Sequence, residues 1–267
     1  MNLVSSAVLI ISGGVALSLV GLLLVRRWAA IQFLEEHTPI ATTFIQIVGT
    51  LYAVLIAFSV ITTWDHFQDA RHVANREANC LNDTFRLTQG LSDPIRDPLR
   101  SALLQYGRAV MGEEWDKMAE GQESQSAIDA YTTIWDLIAT ISPASDRDRV
   151  LSDNIIDRLT DMSDARRERL IFSRGRLGGV IWFTLIAGGA LTIGFSWFFT
   201  VRQARKQILM TAILAGMVCL NLFTIAVINR PFSGAARIEP DAMQFVVAHM
   251  EGSMNRRSPV TPPNPAP

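Results

Sequence analysis

The sequence lacks charge over stretches where a water-soluble protein of its size would carry it. Its 267 residues include 24 Lys and Arg and 25 Asp and Glu, but residues 1–25, 38–64, 177–201 and 207–229 contain none of them. Each run is longer than the roughly 20 residues that cross the hydrocarbon core of a bilayer. This pattern excludes most soluble enzyme classes and predicts an integral membrane protein with four transmembrane helices.

The sequence also has few cysteines and no basic residue ahead of its first apolar run. Only Cys80 and Cys219 occur, one in a polar segment and one deep in the fourth apolar run, so we expect no disulfide between them. The first apolar run has no basic residue ahead of it and is too long for a secretory signal, so we expect a retained membrane helix.

A basic face is missing from the polar segment. Residues 65–176 hold 15 Lys and Arg against 20 Asp and Glu. This acidic balance argues against nucleic acid as a partner, because nucleic-acid binding requires a concentrated basic surface.

Catalytic signatures are absent as well. The sequence has no glycine loop ahead of a basic residue, no Cys or His pair at zinc spacing and no nucleophile elbow. Asp65, Asp69 and His72 share one helical face and could offer a metal or proton site, although a solvated charged face has the same pattern. We therefore expect no enzyme, no cofactor and no bound metal, with a membrane enzyme using these three residues as a third hypothesis.

The order of apolar and polar segments predicts an all-α membrane protein with an extramembrane antiparallel helical bundle between spans 2 and 3. The second span is expected to continue as a helix to Gly90, and three further helices follow, with a weakly ordered connection over Gly112–Gln125. The predicted divisions are residues 1–63 for transmembrane helices 1 and 2, 64–176 for the bundle, 177–230 for helices 3 and 4, 231–252 for a post-membrane segment, and 253–267 for a disordered Pro-rich tail.

One side of the second span carries small or polar residues at helical spacing. These residues are Thr43, Gln46, Thr50, Ala53 and Ala57, and they are called the span-two stripe below. Because polar atoms are costly in lipid, the stripe should face protein or water. It is either a pore lining or a close-packing seam between helices.

The third and fourth spans carry further packing signals. Tight helix contact, within one subunit or between subunits, is favoured by the glycines at the third span: Gly175, Gly179, Gly188, Gly189 and Gly194. Asn221 is expected to form an interhelical hydrogen bond. The fourth span ends at a membrane-exit turn of Asn229, Arg230, Pro231 and Phe232, which is either a structural stop or a ligand-facing element.

Several segments of the chain are similar to those of one known family. The matching segments are Gly49–Phe58 running to Trp64 and Asp65, Arg76–Asn79, Glu113–Trp115, Leu159–Leu170 and Arg230–Gly234. In order and spacing the chain resembles the bestrophin-like domain-of-unknown-function family of integral membrane proteins. It departs from the family's frequent pattern at Asn229, where an aspartate is common, and at Asp65, where a glutamate is common. The resemblance implies four spans and, through likeness to bestrophins, a homo-oligomeric ion channel.

Two functions follow as hypotheses. The first is a homo-oligomeric pore for small inorganic ions, with Thr43, Gln46 and Thr50 offering dipoles to an ion and Ala53 and Ala57 forming a narrow apolar neck. The alternative is a membrane-anchored scaffold or sensor whose helical bundle binds a partner protein. Either would lie in the lipid bilayer of the cell (inner) membrane. Basic residues beside the spans favour a cytoplasmic bundle and cytoplasmic termini by number, whereas the short connections favour the reverse.

Overall fold

The computed structural model describes residues 3–28, 31–175, 177–198, 204–234 and 236–256, and omits the side chains of 31–42 and of residue 93. The secondary structure in these ranges is entirely helical: α1 Leu3–Trp28, α2 Ile31–Leu87, α3 Asp93–Ala109, α4 Trp115–Met118, α5 Gln125–Ala139, α6 Asp146–Phe172, α7 Gly179–Ser196, α8 Ala204–Ile228 and α9 Asp241–Asn255. Within these described ranges, four helices are long and apolar enough to span a membrane: Leu3–Trp28, the Thr43–Gly90 stretch, Gly179–Ser196 and Ala204–Ile228. The predicted all-α fold with four spans and an extramembrane helical bundle is confirmed. Of the predicted disordered Pro-rich tail, 253–267, residues 253–255 are helical, and residues 257–267 lie outside the described residues.

Contacts divide the chain into two compact parts. The membrane unit contains Met1–Phe67 and Gly175–Arg237, and the polar unit contains Gln68–Arg174 and Ile238–Pro267. Helix α2 belongs to both, since it continues without a break from the second span to Leu87, followed by a 3₁₀ turn to Gly90. The predicted continuation of the second span beyond the membrane is thus confirmed.

The membrane unit is held together by small residues that let helices approach closely. Helices α1 and α8 are antiparallel, because Gly14 lies against the Cys219 side chain while Arg26 near the end of α1 donates to Gln207 near the start of α8. A Cβ added at Gly14 would overlap Cys219, so the glycine permits the close approach.

The polar unit has an apolar core with charged groups inside it. Leu81, Leu99, Leu103 and Leu159 are fully buried. Helix α6 begins where Ser145 Oγ accepts a hydrogen bond from the Asp148 backbone amide at 3.1 Å, a standard amino-terminal cap.

The weakly ordered connection predicted over Gly112–Gln125 is wrong for residues 112–118, which are helical, whereas residues 119–124 form a turn and a short loop. A π-helical turn, Val110–Glu114, leads directly into α4. Glu114, Trp115 and Met118 are all buried, and the Trp115 indole donates to the Ile238 carbonyl at 2.9 Å. The run of acidic residues suggested that this segment is exposed to solvent. Arg166 and Arg169, which are distant in sequence, neutralise Glu114 and so allow the segment to be buried.

The segment after the last span contains a helix that the sequence interpretation did not include. Helix α9 buries Met243, Val246, Val247 and Met250, which follow the three- and four-residue spacing of a helix face. Val247 packs against Gly107 of α3, where a Cβ would come within 2.6 Å of it. Residues 241–255 therefore belong to the folded polar unit.

Candidate functional site

The span-two stripe lies on α2 and is exposed along its whole length. Thr43, Gln46, Thr50, Ala53 and Ala57 are each exposed in the described chain. At 3.6 residues per turn, these five positions occupy an arc of about 80°. No packing seam within one chain covers this arc among the described residues.

The opposite face of α2 is fixed against α7 by one aromatic side chain. Tyr52 is 6% exposed, and its hydroxyl donates to the Leu185 carbonyl of α7 at 3.0 Å. Its ring lies over Gly188 and Gly189, where an added Cβ would come within 2.6 Å and 2.7 Å of Tyr52 atoms. The tight contact predicted for these two glycines is thus present within one subunit. Because this contact occupies the opposite face of α2, the span-two stripe faces away from α7.

A second exposed arc of α2 has a different chemistry. Ile47, Leu51, Val54 and Phe58 are large apolar residues, each about half exposed or more. They lie beside the stripe, on the arc centred roughly 70° around the helix from Thr50. Helix α2 therefore presents two adjacent surfaces. One consists of large apolar side chains suited to lipid, and the other consists of small or polar side chains that are poorly suited to it.

The polar atoms of the stripe are all uncharged. The Thr50 hydroxyl donates to the Gln46 backbone carbonyl at 2.7 Å, which leaves its oxygen lone pairs facing outward. The Gln46 amide offers both donor and acceptor atoms. The stripe can therefore present dipoles of either sign to an ion.

The membrane-exit turn brings the end of α8 to the start of α7. Asn229 Oδ1 accepts a hydrogen bond from the Leu177 backbone amide at 3.0 Å. Gly175, at φ +79°, lies so close that a Cβ there would come within 3.1 Å of the Asn229 carbonyl oxygen. Pro231 and Phe232 are buried while Arg230 is exposed. Asn229 therefore acts here as a hydrogen-bond acceptor, a role that an amide oxygen fills without the carboxylate common at this position in the family.

Among the residues that the structure describes, Asn221 forms no interhelical hydrogen bond. Its amide donates to the Met217 carbonyl of its own helix at 2.8 Å. The side-chain amide is therefore bonded to a backbone carbonyl of α8 one helical turn earlier in the sequence, as is common for short polar side chains in helices.

Asp65, Asp69 and His72 are exposed on α2. Within the described ranges, no group of three or more His, Cys, Asp or Glu is arranged to hold a metal ion.

The polar unit buries a cluster of ionised groups that the sequence interpretation did not identify. Arg169, fully buried, donates from Nε to Glu77 Oε2 at 2.5 Å and from Nη2 to Glu114 Oε1 at 2.6 Å. Arg166 binds the other oxygen of Glu114 at 2.7 Å, and the Tyr106 hydroxyl donates to Glu77 Oε1 at 2.6 Å. These five residues, called the ionic cluster below, join α2, α3, the π-helical turn and α6.

Mutual neutralisation keeps the ionic cluster charged inside the fold. Burial alone raises the pKa of the Glu114 carboxyl, but Arg169 and Arg166 outweigh it and lower that pKa from its ordinary 4.5. Burial lowers the pKa of Arg169, but Glu77 and Glu114 outweigh it and raise it. Burial and the neighbouring Glu77 raise the pKa of Tyr106 well above 10. Two carboxylates and two guanidinium groups thus form a neutral set, which is what makes the burial of charge tolerable.

The sequence contained a signal for this cluster. Arg169 continues the apolar stripe of α6 that includes Leu159, Met162 and Ala165, and Glu77 lies beside Ala78 on the apolar face of α2. A charge on a buried face requires an opposite charge facing it. Pairing the two helices would have required knowing their register, which single-sequence periodicity does not provide.

Comparison with known proteins identifies the family. The family model described as the Bestrophin-like domain matches residues 13–243. The chain belongs to the bestrophin-like family. No curated protein matches it in a sequence search.

Solved structures of bacterial bestrophin homologues share the fold of this bestrophin-like protein. Two crystal structures of single-site variants of a bestrophin homologue from Klebsiella pneumoniae give TM-scores of 0.68 and 0.66 at 14% and 13% sequence identity. They cover 93% and 94% of this chain and 98% and 99% of their own. A third crystal structure, described as a membrane protein, gives a TM-score of 0.67 at 14% identity, with 93% and 98% covered.

Three of the five segments that carry the family resemblance meet in the ionic cluster of this bestrophin-like protein. Glu77 comes from Arg76–Asn79, Glu114 from Glu113–Trp115, and Arg166 and Arg169 from Leu159–Leu170. Three separate stretches of the polar unit are therefore joined by charge pairing, which gives the resemblance a structural basis in this chain.

Proposed function

We propose that this protein assembles as a symmetric homo-oligomer in the cell (inner) membrane, where the span-two stripe lines a pore for small inorganic ions. The exposed position of the stripe is the observation that supports it. Within one chain, Tyr52 anchors the opposite face of α2 to α7, which leaves Thr43, Gln46 and Thr50 uncovered. The role is one of transport rather than of enzymatic catalysis.

The chemistry of the two exposed arcs supports this assignment. Residues such as Leu51 and Phe58 lose nothing by facing lipid, whereas an amide or hydroxyl in hydrocarbon costs free energy unless it finds a polar neighbour. Copies arranged around an axis with their stripes inward satisfy both surfaces. The amides and hydroxyls then contact water and ions, and the apolar arc faces lipid or a neighbouring subunit.

The stripe provides a selectivity region and a gate at different heights. Gln46 and Thr50 provide dipoles that can replace part of an ion's hydration shell. Ala53 and Ala57 lie one and two turns further along and form an apolar neck that can empty of water. Family membership agrees with this proposal, since the likeness to bestrophins implies a homo-oligomeric ion channel.

The orientation proposed places the polar unit and both termini in the cytoplasm. Basic residues beside the membrane ends on that side include Arg71, Arg76, Arg167 and Arg230. A cysteine placed at the exposed position Asn79, in a variant lacking Cys80 and Cys219, should resist a membrane-impermeant thiol reagent in intact cells. It should react once the cells are opened, and labelling in intact cells would reverse the assignment.

The pore is tested by ion flux through the purified full chain in liposomes. Gln46→Glu should raise cation over anion permeability and Gln46→Lys should do the opposite, because a ring of like charges forms around the axis. Ile47→Met, on the neighbouring apolar arc, should leave the permeability ratio unchanged. If no voltage, calcium or pH condition gives flux while the oligomer remains intact, the pore proposal fails.

A further inference from the structure

A cavity of about 340 Å³ opens at the end of the membrane unit where α1 begins and α8 ends. Its lining combines the Arg230 side chain and Ser233 with an apolar wall that includes Ile10, Phe223 and Ala226. The volume lies within the range of small-molecule pockets, and the mixture of one cation with a hydrocarbon wall is typical of sites for amphiphiles.

The backbone of the turn that carries Arg230 is held in place by hydrogen bonds and by a buried side chain. Asn229 is tied to the start of α7 through Leu177, and Phe232 is fully buried behind the turn. The Ser233 backbone amide donates to the Arg230 carbonyl at 3.2 Å, and Gly234 follows at φ +78°, a conformation that favours glycine. The backbone that carries Arg230 and Ser233 is therefore held at a defined place on the cavity edge.

The electrostatics of this edge favour an anion. Arg230 forms no ion pair with any other described residue, and the residues lining the cavity include no acid. The amino-terminal end of α1 is positive and the carboxyl-terminal end of α8 is negative, so the two helix dipoles offset each other. One uncompensated guanidinium charge remains, at the level where a fourth span leaves the bilayer.

We propose that this cavity binds a single anionic phospholipid per subunit. Arg230 and Ser233 bind the lipid phosphate, and one acyl chain runs along the wall formed by Ile10, Phe223 and Ala226. The cavity holds the phosphate and the first part of a chain, and the rest of the lipid extends through the open side into the bilayer. Arginine suits this role because its planar donors match phosphate oxygens.

The site is independent of the pore. It lies between α1 and α8, whereas the span-two stripe lies on α2. A lipid bound here would strengthen the α1–α8 contact next to the membrane-exit turn.

Native mass spectrometry of the purified, delipidated full chain tests the proposal. Phosphatidylglycerol and phosphatidylcholine with identical acyl chains are titrated separately, and inorganic phosphate is added as a competitor. The expected result is one phosphatidylglycerol retained per subunit, with about tenfold higher affinity than phosphatidylcholine, because the choline ammonium offsets the charge of its own phosphate and repels Arg230, whereas phosphatidylglycerol keeps a net negative charge. Inorganic phosphate should not displace it, because free phosphate leaves the apolar wall empty.

Variants separate the two halves of the site. Arg230→Gln should reduce phosphatidylglycerol affinity about tenfold, to the level of phosphatidylcholine, while Arg27→Gln, an exposed arginine at the other end of α1, should leave it unchanged. Ala226→Phe, which fills the wall and keeps Arg230, should weaken both lipids. Equal affinity of the two lipids, unchanged binding in Arg230→Gln or Ala226→Phe, or displacement by inorganic phosphate would overturn the proposal, the last in favour of a free-anion site.

Discussion

Arg169 and Glu77 form a bidentate ion pair in the interior of the polar unit. Arg169 Nε lies 2.5 Å from Glu77 Oε2, Arg169 Nη2 lies 3.0 Å from Glu77 Oε1, and both side chains are fully buried. The pair connects α6 to the part of α2 that continues from the second span. The pair therefore holds α6 against the part of α2 that lies within the polar unit.

Arg169→Met is expected to destabilise the protein strongly. Removing the guanidinium leaves Glu77 and part of Glu114 as uncompensated buried charges, at a cost of about 3–5 kcal/mol. The exposed Arg167→Met, three quarters exposed and two residues away, should change stability by less than about 0.5 kcal/mol. Chemical unfolding of the full chain in detergent, followed by tryptophan fluorescence, measures both, and equal stabilities would contradict a role for the pair.

The Glu77→Gln and Arg169→Met double variant should be more stable than the sum of the single variants predicts. Once both charges are removed, neither is left buried without its opposite. The same unfolding measurement in a double-mutant cycle gives the coupling, and additive effects would show that the two groups act separately.

Acid should weaken the contribution of Glu114. Its pKa is lowered in the folded protein by Arg169 and Arg166, so its stabilising effect is complete above its ordinary value of 4.5 and is lost as the pH falls below it. The stability difference between the wild type and Glu114→Gln should therefore be constant from pH 7 to about pH 5 and shrink at lower pH. A difference that grows with acidity would reverse the sign and refute the assignment.

Gly188→Ala should loosen the contact between α2 and α7. The new Cβ would lie 2.6 Å and 2.9 Å from Tyr52 ring atoms, and overpacking of this kind costs about 1–3 kcal/mol. Gly194→Ala on the same helix meets no atom within 4 Å and serves as the matched control. Thermal unfolding in detergent should separate the two variants, and indistinguishable melting temperatures would count against the close approach.

Asn229→Ala should destabilise the membrane-exit turn by about 1–2 kcal/mol, because the partly buried Leu177 backbone amide loses its acceptor. Asn229→Asp keeps an acceptor oxygen and restores the residue common in the family, so its loss should be smaller. The melting temperatures of the two variants check this order. If Asn229→Ala melts like the wild type, the hydrogen bond contributes nothing to stability.

The membrane spans could be predicted from the sequence because absence of charge is a local property. A run such as 38–64 predicts a membrane span by itself, without any information on which other segments it contacts in the fold. The continuation of α2 to Leu87 could also be predicted, since one apolar stripe crosses the end of the span unchanged. The orientation of α2 was not predictable in the same way, because it depends on which small residues of α7 accept the Tyr52 ring.

The ionic cluster and α9 escaped prediction for different reasons. Glu114 lies in an acidic stretch, and only the distant Arg166 and Arg169 make its burial favourable. Helix α9 does have a periodic apolar face in Val246, Val247 and Met250, but it is short and lies in 231–252, where only a post-membrane segment was predicted. The Asn221 prediction was wrong because a helix carbonyl four residues back was available to its amide.

The assembly of the full chain in a lipid membrane tests the central proposal most directly. A structure of the oligomer gives the number of subunits and the distance of each Gln46 side chain from the symmetry axis. The proposal predicts a closed ring with Gln46 and Thr50 of every copy facing a continuous polar path on that axis. A dimer with a sealed interface, or a ring with the span-two stripe turned toward lipid, would contradict it.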